Sequence, residues 1–179
     1  PPSDAAWRAK IGGDGIGWTT DGIPFKSAKE GPNIAVVTRV AQFPSGIEFP
    51  VHATGKTLYL MLSGMTFAMQ SHVVNLRVTL RYANGVEKPV DLVNPSGIGD
   101  CWNQYRFHDT ASNGFENLGG RFGPAGSSVA GDLTQPIPVD TEAHLVAFDQ
   151  DPDAELRAVR LEAIANDNIF GLRGATLLK

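Results

Sequence analysis

A chain of 179 residues with 42% hydrophobic and 19% charged side chains has the makeup of one folded domain, not of a disordered tail. Its formal net charge of −4, with no run of Lys or Arg, excludes nucleic acid and an anionic membrane surface as the main partner. No segment approaches the roughly 18 consecutive apolar residues that span a bilayer, and 20 glycines with 12 prolines favour many short elements over a few long helices. The lone Cys101 has no partner for an internal disulfide. Because the chain starts at Pro1 without an initiator Met, a processed protein or a domain excised from a longer chain is expected.

Residues 1–32 are broken by Gly12, Gly13, Gly15, Gly17 and Gly22, and the apolar Trp7, Ile11, Ile16, Trp18, Ile23 and Phe25 recur without helical spacing. This segment is expected to be extended chain that packs on a core built elsewhere. Strand signals become regular from Asn33 onward. Residues 34–40 are short and β-branched. In residues 46–51, Ile47, Phe49 and Val51 share one face while Pro50 points to a sheet edge. Residues 57–62 are almost continuously apolar, which marks a central strand.

The clearest period of two runs over residues 74–82, with Val74, Leu76, Val78, Leu80 and Tyr82 inward and Asn75, Arg77, Thr79 and Arg81 outward. Asn84-Gly85 then predicts a hairpin with a type I′ turn, returning along residues 87–92. Residues 93–132 form a long loop excursion, rich in Gly, Ser and Asn but also holding Trp102, Tyr105, Phe107, Phe115 and Phe122. Three strand-like runs close the chain, at residues 141–148, 156–165 and 171–178. The second is composed of good helix formers, yet Val159, Leu161, Ala163 and Ala165 alternate, and a strand is assigned. No internal repeat and no second domain is visible, so 1–179 is expected to be one all-β sandwich of two antiparallel sheets.

Five stretches taken together carry a family likeness: Asp21-Gly-Ile-Pro-Phe25, the strand 57–62, the strand 74–82 running into Asn84-Gly85, its return 86–90, and Ile98-Gly-Asp-Cys-Trp102. In this pattern and order the chain resembles the galactose-binding-like β-sandwich domains appended to bacterial glycoside hydrolases and polysaccharide lyases. It departs from them where a Trp-x-Asn-Pro turn is common and Phe148-Asp-Gln-Asp-Pro-Asp153 stands instead. The resemblance implies a jelly-roll sandwich. It also implies a non-catalytic carbohydrate-binding accessory domain of a secreted bacterial protein, extracellular or periplasmic, whose partners are a polysaccharide or oligosaccharide and a neighbouring catalytic domain. A purely structural sandwich that packs against a glycosidase domain is the alternative, and a small stand-alone carbohydrate-active enzyme is a third reading.

Trp102 with Asp100, Asn103, Tyr105 and Arg106 is the candidate ligand site. An indole face stacks on the C–H face of a pyranose, and neighbouring carboxylate, amide and guanidinium groups take its hydroxyls. The competing reading makes Trp102 a core plug and Asp100 a turn cap. Arg106, His108 and Asp109 would add a grip on an acidic sugar, against a plain solvated loop. Asp149, Asp151 and Asp153 open like a calcium loop, but Ala154 and Arg160 stand where an EF-hand needs Gly and Glu, so a solvated turn is expected and no cofactor is assigned. The glycines of residues 12–17 lack the strand, helix and Lys-Ser/Thr of a phosphate loop. His52, His72, His108 and His144 show no metal-ligand spacing, there is no Gly-x-Ser-x-Gly, and nothing singles out a catalytic pair among Asp14, Asp21, Glu48, Glu116 and Asp132.

Overall fold

The computed structural model describes residues 4–19, 21–65, 73–93, 98, 134–136 and 143–179. Apart from one helical turn, α1 (Ala5–Ala9), the described elements are strands: β1 (Ile16–Trp18), β2 (Pro24–Lys26), β3 (Ala35–Thr38), β4 (Gly46–Ala53), β5 (Thr57–Met65), β6 (Val74–Tyr82), β7 (Glu87–Val93), β8 (Thr134–Pro136), β9 (His144–Asp149), β10 (Leu156–Ala163) and β11 (Ile169–Leu178). All pairings are antiparallel, and they make a four-stranded sheet in the order β4-β10-β6-β7, a five-stranded sheet in the order β3-β11-β5-β9-β8, and a separate β1-β2 hairpin. The all-β sandwich expected from the sequence is the observed architecture.

Alternation along each strand builds the core. Leu58, Leu60 and Leu62 of β5, Val146 and Phe148 of β9 and Phe170 of β11 meet Leu76, Val78 and Leu80 of β6 and Val159 and Leu161 of β10 between the sheets. Ile98 belongs to the same cluster and is fully buried. Each such side chain contributes on the order of 1.5–3 kcal/mol by leaving water. The continuous apolar run of β5 has a second cause: its odd positions, Tyr59 and Met61, face a separate cluster of Trp7, Ile11, Ile23, Phe25, Ala143 and Leu145 on the outer side of the five-stranded sheet.

That outer cluster is roofed by the N-terminal unit. The Trp7 ring meets Phe25 edge-on, with centroids 6.4 Å apart and planes at 76°, and the Thr176 hydroxyl of β11 donates to the Pro24 carbonyl of β2. Arg8 pins the following loop, donating to Asp4 (2.9 Å) and to the carbonyls of Ala28, Lys29 and Gly31 (3.3, 3.0 and 2.9 Å). The segment expected to be wholly extended therefore holds a helical turn and a hairpin. The turn lets Trp7 reach inward, while Arg8 on the same element holds the loop that follows the hairpin.

Two further expectations are corrected. Asn75 is buried, not outward, because Val74 pairs with Val93 and Leu76 with Leu92, leaving Asn75 as an extra residue at a bulge. Its carbonyl accepts from Ile164 N at 2.9 Å. The Asn84-Gly85 hairpin forms, but not through a type I′ turn. Gly85 N donates to Tyr82 O (3.0 Å), Tyr82 N donates to Val86 O (2.9 Å), and of the two residues only Gly85 has positive φ (+86°). This is a three-residue loop ending in a left-handed glycine, and the Asn84 side chain closes it by accepting from Val86 N at 3.0 Å.

The run at 156–165, ambiguous between helix and strand, is β10, paired with β4 on one side and β6 on the other. Pro50 marks an edge as expected, since β4 ends the four-stranded sheet. Of the four edge strands, β4, β7 and β8 each carry a proline (Pro50, Pro89, Pro136), and β3 is only four residues long.

Phe170 is fully buried in β11, which pairs with β3 and β5. Phe170→Ala is expected to lower unfolding free energy by about 3–5 kcal/mol, read as a shifted denaturant midpoint with an unchanged slope. A loss below about 1 kcal/mol would mean that this layer is not where the sandwich closes.

Candidate functional site

Gly17 decides which way the first hairpin faces. A Cβ at this position would lie 2.8 Å from the Trp7 ring, so the residue must be glycine for Trp7 to press against the strand. Gly17 is paired with Phe25, and both look toward the sheet. With a period of two, Ile16 and Trp18 of β1 and Pro24 and Lys26 of β2 then face away. Trp18 is 55% exposed, directly opposite Pro24.

The turn behind Trp18 is tied firmly. Thr19 N donates to Ile23 O (3.0 Å), Gly22 N donates to Thr19 O (3.0 Å), and the Thr19 hydroxyl accepts from Ile23 N (3.1 Å). Gly22 takes the positive φ of +76° that closes the loop. Asp21 in this turn and Lys26 on β2 are exposed. The result is a flat indole face on a short, fixed hairpin, with one anionic and one cationic group on the same element. A large aromatic left in water forgoes much burial energy, and such surfaces mark recognition sites more often than single exposed leucines do.

Sequence reasoning missed Trp18, grouping it with Trp7 as a residue that packs on the core. The signal lay in parity. Trp7 needs a neighbour with no side chain, and once Gly17 is that neighbour, Trp18 is turned outward.

The predicted group Trp102, Asp100, Asn103, Tyr105 and Arg106 lies outside the described residues, as do His108, Asp109, Glu116, Asp132 and Cys101. Among the described carboxylates, Glu48 binds Arg81 on the four-stranded sheet, while Asp14 and Asp21 belong to the N-terminal unit, with Asp14 accepting from Ile16 N at 3.0 Å. They do not form a catalytic pair. Asp151 accepts from Asp153 N (3.0 Å) and its carbonyl accepts from Ala154 N (3.1 Å), which makes the acidic run a self-capped turn. Among the described residues, no group of three or more His, Cys, Asp or Glu is placed to hold a metal ion. Among them also, no helix is long and apolar enough to cross a membrane.

Ion pairs set the remaining electrostatics. Arg77 binds Asp91 through two hydrogen bonds, Nε to Oδ1 at 2.6 Å and Nη2 to Oδ2 at 3.0 Å. The hydrogen bond from Arg77 is the main cause holding the Asp91 carboxyl below its usual range, with burial a weaker opposing effect. At Asp4, burial is the largest single influence and disfavours the charge, but the Arg8 hydrogen bond, Asn33 and the charges of Arg8 and Arg173 together outweigh it and lower the pKa. Burial, aided by the charge of Asp151, raises the Tyr82 hydroxyl, which donates to Gln150 Oε1 at 2.6 Å.

No protein-family model matches the chain, and no curated protein and no solved structure matches it.

Gly17→Ala is expected to destabilise the N-terminal unit by about 1–3 kcal/mol through the clash with Trp7, seen as reduced hydrogen-exchange protection in residues 11–26 before any change in β6 or β10. Depressed carboxyl pKa values at Asp4 and Asp91 stabilise the fold above the unfolded pKa of about 3.9. That contribution is lost as pH falls through the lower folded values. Asp91→Asn should therefore be less stable than the parent at neutral pH and converge on it as pH falls through the lowered folded pKa, the gap being small because the pair is partly exposed. A gap that persists undiminished in acid would assign Asp91 a role other than ion pairing.

Proposed function

We propose that the chain is a non-catalytic glycan-binding module, of the kind that accompanies the catalytic domains of secreted bacterial carbohydrate-active proteins, and that it works outside the cell or in the periplasm. The observation that carries this reading is Trp18, more than half exposed on a hairpin whose geometry is fixed by Gly17, Thr19 and Gly22. A pyranose has an apolar C–H face and a polar rim. An indole offers the matching flat surface, and exposed Asp21 and Lys26 offer an acceptor and a donor for ring hydroxyls. A platform that is rigid before binding loses little conformational entropy on contact with a sugar. The resemblance to galactose-binding-like jelly rolls supports the same reading and adds Trp102, with Asp100, Asn103, Tyr105 and Arg106, as a further stacking group.

One observation favours the structural alternative. Ile34, just before β3, and Val40 and Phe43, on its connection to β4, are all exposed. An apolar grouping of this kind suits packing against a neighbouring domain.

Affinity electrophoresis of the chain through a panel of neutral and acidic polysaccharides tests the proposal, with Trp18→Ala and Trp102→Ala run alongside. Retardation by one polysaccharide, lost in Trp18→Ala while its circular dichroism is unchanged, is the expected result. Loss in Trp102→Ala alone would move the site to the predicted group and keep the function. No retardation on any polysaccharide would overturn glycan binding and leave the exposed Ile34, Val40 and Phe43 as the functional surface.

A further inference from the structure

The outward face of the four-stranded sheet is built in three rows that cross the strands. One row is Glu162, Arg77 and Asp91; the next is Glu48, Arg160, Thr79 and Pro89; the third is Ala158, Arg81 and Glu87. Long charged side chains thus surround a centre made of one threonine and one proline. The short centre leaves an open hollow of about 280 Å³ with Thr79 and Pro89 as its floor and Arg77, Arg81 and Arg160 on its rim.

The rim is already held in place. Asp91 grips Arg77 through Nε and Nη2. Arg81 donates from Nη1 to Glu48 at 2.6 Å and its Nε lies 2.9 Å from Glu87 without a hydrogen bond, while Arg160 stands 3.5 Å from Glu162. These contacts use part of each five-donor guanidinium and leave N–H groups for a ligand. The Thr79 side chain is partly exposed. Arginines and carboxylates alternate, so the face has little net charge and offers an ionic ligand little net attraction. Saccharide hydroxyls, which donate and accept at once, can use both signs.

We propose that this face is a second glycan-binding surface, selective for a neutral saccharide. It rests on the glycan-binding reading of Trp18, from which it is separated by the whole sandwich: the platform lies over the five-stranded sheet and the hollow on the other sheet. The module is then bivalent, and two weak sites on opposite faces hold or bridge polysaccharide chains by avidity.

Isothermal titration calorimetry with a hexasaccharide of the polysaccharide that retards the chain most tests this directly. The parent, Trp18→Ala, Arg160→Ala and Thr79→Tyr would be compared, with Thr79→Ser as the variant that keeps the hydroxyl and circular dichroism as the check on folding. Two oligosaccharides per chain in the parent and one in each of Trp18→Ala, Arg160→Ala and Thr79→Tyr are expected, with Thr79→Ser retaining two. On the intact polysaccharide, each single-site loss should weaken binding at least about tenfold, within the gain that avidity confers. A parent stoichiometry of one that is abolished by Trp18→Ala and untouched by Arg160→Ala and Thr79→Tyr would overturn the second surface while sparing the first. Tighter binding of a uronate oligosaccharide, weakened by salt and lost in Arg160→Ala, would overturn its neutrality. Absence of retardation by every polysaccharide would overturn both proposals together.

Discussion

β10 and β11 run through the middle of the sandwich, one in each sheet, and each is hydrogen-bonded on both of its edges. β10 separates β4 from β6, and β11 separates β3 from β5. The last two strands of the chain therefore form an arch wedged between β3 and β4 on one side and β5 and β6 on the other. Neither sheet is continuous until it arrives. Contacts of such large sequence separation are slow to form, since loop-closure entropy must be lost before they stabilise anything. The polar turn at residues 164–168 that joins the two strands is tied down accordingly: the Thr38 hydroxyl donates to Asn168 O at 2.6 Å and Arg39 donates to Ile164 O at 3.0 Å.

The N-terminal unit depends on that arch in turn. It sits on the outer face of the five-stranded sheet, where Gly174 of β11 leaves room for Phe25 and Gly17 leaves room for Trp7. Two glycines on facing elements thus let two aromatic rings fill one layer. With Phe25 and Gly17 inward, the outward position of Trp18 follows from backbone parity alone. The exposed indole is in this sense a by-product of how the roof packs.

Much of the sandwich was legible because its signals are local. The alternation of residues 74–82, the apolar run of 57–62, Asn84-Gly85 and Pro50 each state a burial pattern, a turn or an edge within a few residues. What was not legible depends on partners distant in sequence. Asn75 looked outward by period, but a bulge against β7 buries it. The turn at 83–85 is set by how Tyr82 pairs with Val86, not by the dipeptide alone. Trp7 and Trp18 are the same residue type in the same segment, and only the contact with Gly17 separates core from surface. The outward rows of the four-stranded sheet could be guessed from β6, yet the hollow at Thr79 exists only because β10 and β7 set Arg160 and Pro89 beside it.

The prolines of the edge strands have a consequence for association. A sheet edge invites another strand, from a second copy or a partner peptide, because its N–H and C=O groups are unpaired. Pro50, Pro89 and Pro136 each remove a donor from such an edge, and β3 offers four residues, of which Thr38 already donates its N–H to Pro44 O at 3.0 Å. Strand addition is thereby disfavoured at these described edges. Copies of this chain that crowd together are thus steered toward side-chain contact at these edges, away from backbone pairing.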